Sequence, residues 1–218
     1  MGVPLLCIAS YLIGSIPTAY IIGRMVRGID IRRYGSGNVG GSNVYYNVGK
    51  RWAIPLGFFE VFIKGACPIW VAIFFLDIET IGSSGISFVD YIVGFDRSSP
   101  SLAIISLSSI VGHNWSIFLR FQGGRGLAVA TGAFLAIAFY KLLIFIGVSV
   151  IGWRIFKSSG IWVLVALLLL PLWSYIVGQS ITVVWYCTAV LILVVLKRLI
   201  SNWTPIPKGS SFSRVLLN

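Results

Sequence analysis

Between residues 4 and 199 the chain is a succession of apolar runs, at 4–26, 52–76, 100–120, 126–140, 142–156, 160–178 and 181–199, separated by short polar stretches. A membrane-spanning helix needs about 20 predominantly apolar residues, and runs this long and this frequent leave too little polar surface for a water-soluble domain. Composition agrees, with 57% hydrophobic residues against about 45–50% in a typical soluble domain, and a mean hydropathy of +0.93. The expectation is one polytopic, all-α integral membrane domain over residues 1–218, with no sizeable extramembrane domain. The first run lacks a basic leader and outlasts a signal peptide's apolar region, so it is expected to be the first span.

The number of crossings turns on runs 126–140 and 142–156, which are separated only by Lys141 and could form one long helix. Charge discriminates. With seven crossings, Arg24, Arg27, Arg32, Arg33, Lys50 and Arg51 share a side with Arg120, Arg125, Arg154, Lys157, Lys197, Arg198, Lys208 and Arg214. The other side receives Asp77, Glu79, Asp90, Asp96, Arg97, Lys141 and the turn Gly178-Gln179-Ser180. That is the positive-inside pattern, and merging the two runs would put Arg154 and Lys157 outside. The sequence therefore predicts seven transmembrane helices, N-terminus outside and C-terminus cytoplasmic, in the cell inner (cytoplasmic) membrane. A short apolar stretch, Ile86 to Phe95, is expected along the outer interface.

The net charge of +11 follows the loops instead of forming one basic face, so it reports topology and not nucleic-acid binding. Cys7, Cys67 and Cys187 lie in apolar runs without metal-ligand spacing, and read as small buried hydrophobes. Neither a metal nor a disulfide follows. There is no internal repeat, and no obligate protein partner is predicted.

The polar chemistry is concentrated in two glycine-rich stretches. The first, Gly35-Ser36-Gly37-Asn38-Val39-Gly40-Gly41-Ser42-Asn43, carries glycines that allow positive φ and close ligand approach. Successive N–H groups with Ser36, Asn38, Ser42 and Asn43 would make a phosphate cradle. A flexible linker whose glycines permit close helix packing is the other reading. Gly35, Gly37 and Gly40 also match a dinucleotide fingerprint, with Glu60 downstream, but that motif needs a soluble βαβ unit and the flanks here are apolar runs.

The second stretch, Gly112 to Gly126, contains His113, the chain's single histidine, and Gly123-Gly124-Arg125-Gly126 opening into an apolar run. Free N–H groups at that helix start, with Arg125 beside them, suit an anion. His113 reads either as a hydrogen-bonded structural residue or as a proton-transfer group. Trp115 and Arg120 have an ordinary role as headgroup anchors. Glu60 and Lys64, four apart inside an apolar run, read as a structural ion pair, or Lys64 lines a site.

Taken in order, these stretches resemble the bacterial membrane acyltransferases that use acyl phosphate to acylate glycerol 3-phosphate. The resemblance covers nearly the whole chain: Ser15-Ile16-Pro17-Thr18-Ala19-Tyr20, Gly28-Ile29-Asp30-Ile31-Arg32, residues 35–43, Lys64-Gly65, Gly112-His113-Asn114 with Phe118-Leu119, and Gly123 to Gly126. It implies a seven-helix bundle with a cytoplasmic site that transfers a fatty acyl group to the 1-hydroxyl of glycerol 3-phosphate, giving lysophosphatidic acid and phosphate. Acyl phosphate, glycerol 3-phosphate and membrane lipids are then the partners. Coenzyme A, carrier protein, metal and other cofactors are not required.

Carried over by position, the resemblance implies catalytic roles for Ser36, Asn38, His113 and Asn202, the last by an ungapped match to the family's third motif. It implies phosphate or substrate binding by Gly37, Gly40, Asn43, Lys64, Gly123, Gly124, Arg125, Gly126 and Ser158. Departures stand beside it. Tyr46 replaces an arginine, Arg125 a lysine, Ser116 a proline and Val61 an aspartate, for which neighbouring Glu60 is a partial substitute; of the third motif only Asn202 and Gly209 survive, with Leu199, Ile200 and Ser211 at other positions. Several lost groups are cationic, so weaker phosphate binding or another acceptor is implied. The alternatives are a noncatalytic lipid- or phosphate-binding relative, favoured by the eroded motif, and a small transporter, favoured by intramembrane Glu60 and Lys64 but lacking repeated halves.

Overall fold

The computed structural model describes residues 2–75 and 99–202, which are helices and their connections. The acidic loop at 77–96, the stretch Ile86 to Phe95, the tail residues Gly209 and Ser211, and the side chain of Asn202 lie outside what is described. Five helical stretches are long and apolar enough to cross a membrane: Gly2–Arg27, Lys50–Phe74, Pro100–Leu119, Phe139–Phe156 and Ile181–Ser201; Leu127–Ile137 and Gly160–Ile176 are shorter apolar helices. Outward side chains such as Leu5, Ile8, Ile146, Val150, Leu168 and Leu172 are exposed, so the outer faces are as apolar as the interior. That is the pattern of a chain solvated by lipid.

The first apolar run is not one uninterrupted helix. Helix α1 (Gly2–Ser15) stops and α2 (Thr18–Arg27) starts after Pro17, because proline has no N–H to donate and disfavours helical backbone at Ile16. At the break the Ile16 carbonyl accepts from Thr18 N–H at 2.9 Å, and Lys64 Nζ donates to it at 2.6 Å. A 3-10 turn (Ile31–Arg33) and the short helix α3 (Gly41–Asn47) follow.

The second run is α4 (Lys50–Phe58), a π-helical segment (Phe59–Ala66) and α5 (Cys67–Phe75) in one continuous rod. Pro68, just inside α5, cannot donate to the Lys64 carbonyl four residues back. Ser109 Oγ donates to that carbonyl instead, at 2.7 Å. Widened π turns recur at functional positions, and this one carries both Glu60 and Lys64.

Helix α6 (Pro100–Asn114) is capped by Ser99, whose hydroxyl accepts from Leu102 N–H at 3.2 Å. Then come a 3-10 turn (Ile117–Leu119), α7 (Leu127–Ile137), α8 (Phe139–Phe156), α9 (Ser159–Ile176) and α10 (Ile181–Asn202). The division between α7 and α8 falls at Ala138 (φ −150°, ψ 80°) and not at Lys141. Lys141 lies in the first turn of α8, fully buried with its ammonium 5.2 Å from the Tyr140 ring centre.

Small residues bring backbones into contact where lipid supplies no hydrophobic drive. A Cβ on Gly112 would overlap the Tyr11 carbonyl, one on Gly14 the Ser109 carbonyl, and one on Gly132 the Val61 carbonyl. These contacts hold α1 against α6 and the π segment against α7. Tyr11 and Ser15 add hydrogen bonds to the Trp115 and Gly112 carbonyls, at 2.9 and 3.2 Å. Leu102, Ile105, Phe134, Ile137, Leu167 and Val190 fill the core between α6, α7, α9 and α10. Cys187 is buried there, and Cys7 and Cys67 are half-buried.

Candidate active site

The first glycine-rich loop is tied down by its own polar groups. Arg32 meets Asp30 through two hydrogen bonds, 2.9 and 2.7 Å, and reaches Gln122 of the second loop at 3.0 Å. The Arg32 side-chain bond, opposed by burial, holds the Asp30 carboxyl below its ordinary value. Asn43 is buried, and its amide nitrogen faces the carbonyls of Ile31, Tyr34 and Asn38 at 2.9–3.0 Å, while its oxygen accepts from Asn47 at 2.7 Å. Asn43 therefore organises the loop, its donors already directed at backbone. Gly37 sits at φ +69°, where a Cβ would come 3.2 Å from the Arg32 carbonyl, so the turn itself requires glycine. Gly40 caps the start of α3. Ser36 Oγ accepts from Asn38 N–H at 3.5 Å, and Asn38 Oδ1 is buried without a partner among the described residues.

The second loop folds back onto the end of α6. Gly123 N–H donates to the Asn114 carbonyl at 3.2 Å and Gly124 N–H to the His113 carbonyl at 3.0 Å. These bonds satisfy two of the carbonyls that a helix C-terminus leaves open. The sequence predicts those N–H groups free for an anion; instead the carbonyls of α6 claim them, and the helix start proper lies at Leu127 behind Gly126 (φ +76°). Here the glycines serve close approach. A Cβ on Gly123 would overlap the His113 carbonyl, one on Gly124 the imidazole Nε2, and one on Gly126 would lie 2.6 Å from Asn114 Oδ1.

Both loops meet the broken first span at one small pocket. Its wall runs from Gly14 to Ala19, then takes Val39 from the first loop, Glu60 and Lys64 from the π segment, and His113, Ser116, Leu119, Gly123 and Gly124 from the second. Within it, Glu60 Oε1 pairs with Lys64 Nζ at 2.7 Å and Glu60 Oε2 with His113 Nδ1 at 2.7 Å. The second contact has ion-pair distance, with the ring N–H turned off the line to the oxygen. All three side chains are buried. Both readings of Lys64 hold together, because it is ion-paired and lines the pocket. Ser116 closes the wall by donating to the Ser15 carbonyl.

Arg125 and Ser158 stand apart from that wall. Burial, and then the like charge of Arg198, push the Arg125 guanidinium below its ordinary value, and its Nε is buried without a partner among the described residues. Arg198 Nη1 donates to the Gly160 carbonyl at 2.8 Å, two residues from Ser158, whose buried hydroxyl is also unpartnered. Next to Arg198, Lys197 lies 5.4 Å from the Trp115 ring centre. From the sequence Glu60 is expected only as the partner of Lys64 or as a partial substitute for the aspartate missing at Val61, and the pocket wall includes it. Arg198, whose charge acts on Arg125, lies in an apolar run that offers no signal for it.

Residues 4–208 match the model of a family described as glycerol-3-phosphate acyltransferase. The chain is 36% identical over 203 residues to glycerol-3-phosphate acyltransferase 5 of Dehalococcoides mccartyi, covering 90% of this chain and 78% of that protein. It is 31% identical over 206 residues to glycerol-3-phosphate acyltransferase of Prochlorococcus marinus, covering 94% of each. Among solved structures it resembles PlsY, an integral membrane glycerol 3-phosphate acyltransferase, in the glycerol 3-phosphate form. The TM-score is 0.76 at 23% identity, over 100% of both chains.

Proposed function

The chain belongs to the glycerol-3-phosphate acyltransferase family, and from that premise we propose that it transfers a fatty acyl group from acyl phosphate to the 1-hydroxyl of glycerol 3-phosphate. The hydroxyl oxygen attacks the acyl carbonyl carbon, the carbon–oxygen bond to phosphate breaks, and lysophosphatidic acid and inorganic phosphate leave. An acyl phosphate is already activated, so the protein's work is to hold two anions together and stabilise the developing oxyanion. The observation that carries the reading is the convergence of both glycine-rich loops and the Lys64–Glu60 pair on one pocket.

In this reading Ser36, Asn38, His113 and Asn202 act on the reacting groups. Gly37, Gly40, Asn43, Gly123, Gly124 and Gly126 shape the loops, and Lys64 lines the pocket. Arg125 and Ser158, whose Nε and Oγ have no partner among the described residues, supply donors for a phosphate, with the charge of Arg198 beside Arg125. One domain over residues 1–218 crosses the cytoplasmic membrane seven times, N-terminus outside and site facing the cytoplasm. The distribution of basic residues supports this, as do seven apolar helical stretches. A reporter fused after Ser158 is expected to behave as cytoplasmic, and an external signal there would overturn the topology.

The chemical test is purified protein in lipid with acyl phosphate and labelled glycerol 3-phosphate. Lysophosphatidic acid above the rate without protein is expected. Binding of glycerol 3-phosphate without turnover would favour a noncatalytic relative.

A further inference from the structure

The apolar stretch Gly2–Arg27 ends on a basic residue and Lys50–Phe74 begins on one, and between those two ends lies a groove of about 530 Å³ walled by Arg27, Val48, Gly49, Lys50, Arg51 and Trp52. It shares no residue with the pocket of Glu60, Lys64 and His113. Its three cations have no carboxylate partner among the described residues, where Asp30 is engaged by Arg32 and Glu60 by Lys64. Arg27 Nε donates to the Val48 carbonyl at 3.1 Å. The Lys50 ammonium lies 5.4 Å from the Tyr45 ring centre and the Arg51 guanidinium 5.6 Å from that of Trp52. Trp52 adds a buried indole N–H without an acceptor among the described residues. A Cβ on Gly49 would meet, beyond its chain neighbours, only the indole Cδ1, at 3.6 Å, so the edge of the ring that carries this N–H borders open space.

Topology accounts for basic residues at the end of a span, but not for where these stand. Lys50 and Arg51 open α4, whose first turn holds no acidic residue, and the partial positive charge of a helix N-terminus repels cations. The cations, the helix end and the unmatched indole donor all favour an anion in the groove. Beside it the surface turns apolar. Lys50, Ile54 and Phe58 follow at four-residue spacing on one face of α4, and Ile54 is 77% and Phe58 60% exposed. A free phosphate uses the cations but leaves this face uncovered, and a zwitterionic headgroup brings a cation of its own against Arg27, Lys50 and Arg51. Basic pockets between span ends suit anionic headgroups. We propose that the groove binds the phosphate of an anionic membrane phospholipid, with one acyl chain lying along Ile54 and Phe58. The proposal needs a chain that spans a membrane and does not depend on the acyl-transfer reading.

Native mass spectrometry of the full chain, delipidated in detergent and titrated with phosphatidylglycerol or with phosphatidylcholine of the same acyl chains, compares the two headgroups. Wild type should bind its first phosphatidylglycerol about 20-fold more tightly, and Lys50→Gln/Arg51→Gln should bring the two lipids within about 3-fold of each other. Arg125→Ala should keep the wild-type preference, and a large excess of inorganic phosphate should leave the lipid bound. In 15N-tryptophan-labelled protein the Trp52 indole resonance, assigned by its loss in Trp52→Phe, should move downfield in nanodiscs of phosphatidylglycerol relative to phosphatidylcholine, as its N–H gains an acceptor.

Equal affinity of wild type for the two lipids, a result that needs no variant to fold, overturns the proposal. So does a Trp52 resonance at the same position in both nanodiscs. A preference that survives Lys50→Gln/Arg51→Gln but is lost in Arg125→Ala would overturn it by placing the lipid at the Arg125 corner instead. Displacement of the lipid by inorganic phosphate would do so by making the groove a site for free phosphate. Lysophosphatidic acid formation by wild type tests the acyl-transfer reading separately.

Discussion

The Lys64–Glu60–His113 pocket and the Arg125–Arg198 corner dispose of charge in opposite ways. In the pocket each ionisable group has a partner: the ammonium has a carboxylate and the Ile16 carbonyl, and the carboxylate has the ammonium and the ring. In the corner two guanidinium groups repel one another, Arg125 Nε and Ser158 Oγ are buried without partners, and no carboxylate is paired with either arginine among the described residues. A group desolvated and left unpaired costs free energy, so in the proposed function the corner suits an anion that arrives with substrate. The pocket is arranged in advance and needs none. In the proposed function, orientation falls to the first region and phosphate binding to the second.

The largest expected effect tests the prearranged half. Gly124→Ala puts a methyl group on the imidazole Nε2 and 2.7 Å from the Val39 carbonyl. A displacement of the ring on the scale of an ångström should lower kcat about 100-fold, with the protein still folded in the membrane. Near-normal turnover would mean the ring's position is unimportant, and the contrast between the regions would collapse.

Substitutions in the corner should act on phosphate affinity. Arg125→Ala removes a charge-assisted donor worth about 1.5–3 kcal/mol, or roughly 10- to 150-fold in kcat/KM, whereas Arg125→Lys keeps the charge and should lose much less. Equal damage from both would make the planar guanidinium fork essential. Silence from both would reduce Arg125 to a headgroup anchor. Arg198→Ala has a diagnostic sign. If the corner binds phosphate, the KM for the donor rises about 10-fold; if it does not, kinetics stay unchanged.

How much of this contrast is legible in the chain depends on how local its causes are. The Glu60–Lys64 pair follows from spacing on one helix, and the positions of the two loops follow from composition. The attachment of His113 to Glu60 is tertiary and leaves no local trace. Pro17 is visible, yet it lies within an apolar run long enough to predict one span, and the role of the neighbouring Ile16 carbonyl depends on where Lys64 ends up. Ala138 is a good helix former by propensity, so packing and not sequence divides α7 from α8. Gly123 and Gly124 stand before a helix, which suggested open N–H groups, but the carbonyls at the end of α6 reach them first. The corner is the least legible part. Arg125 stands out by its place beside the second glycine-rich stretch and Ser158 only by resemblance, and their neighbour Arg198 comes from a helix remote in sequence.

The smallest expected effect lies at the link between the loops. Asp30, lowered chiefly by its Arg32 side-chain bond, contributes stability that is present above its unfolded value near 3.8 and is lost as pH falls through the lower folded value. Thermal stability should therefore drop slightly below about pH 4, and Asp30→Asn should abolish that component. The magnitude is under about 1 kcal/mol, because Arg32 remains 28% exposed.

In the proposed function a prearranged pocket and an anion-seeking corner together transfer an acyl group from a phosphate-bearing donor. Parallel measurement of lysophosphatidic acid and inorganic phosphate, with acyl phosphate or acyl coenzyme A as donor, tests it most directly. The expected result is equimolar lysophosphatidic acid and phosphate from acyl phosphate, and no product from acyl coenzyme A. Product formed equally well from the coenzyme A donor, or phosphate released without acylated glycerol, would contradict it.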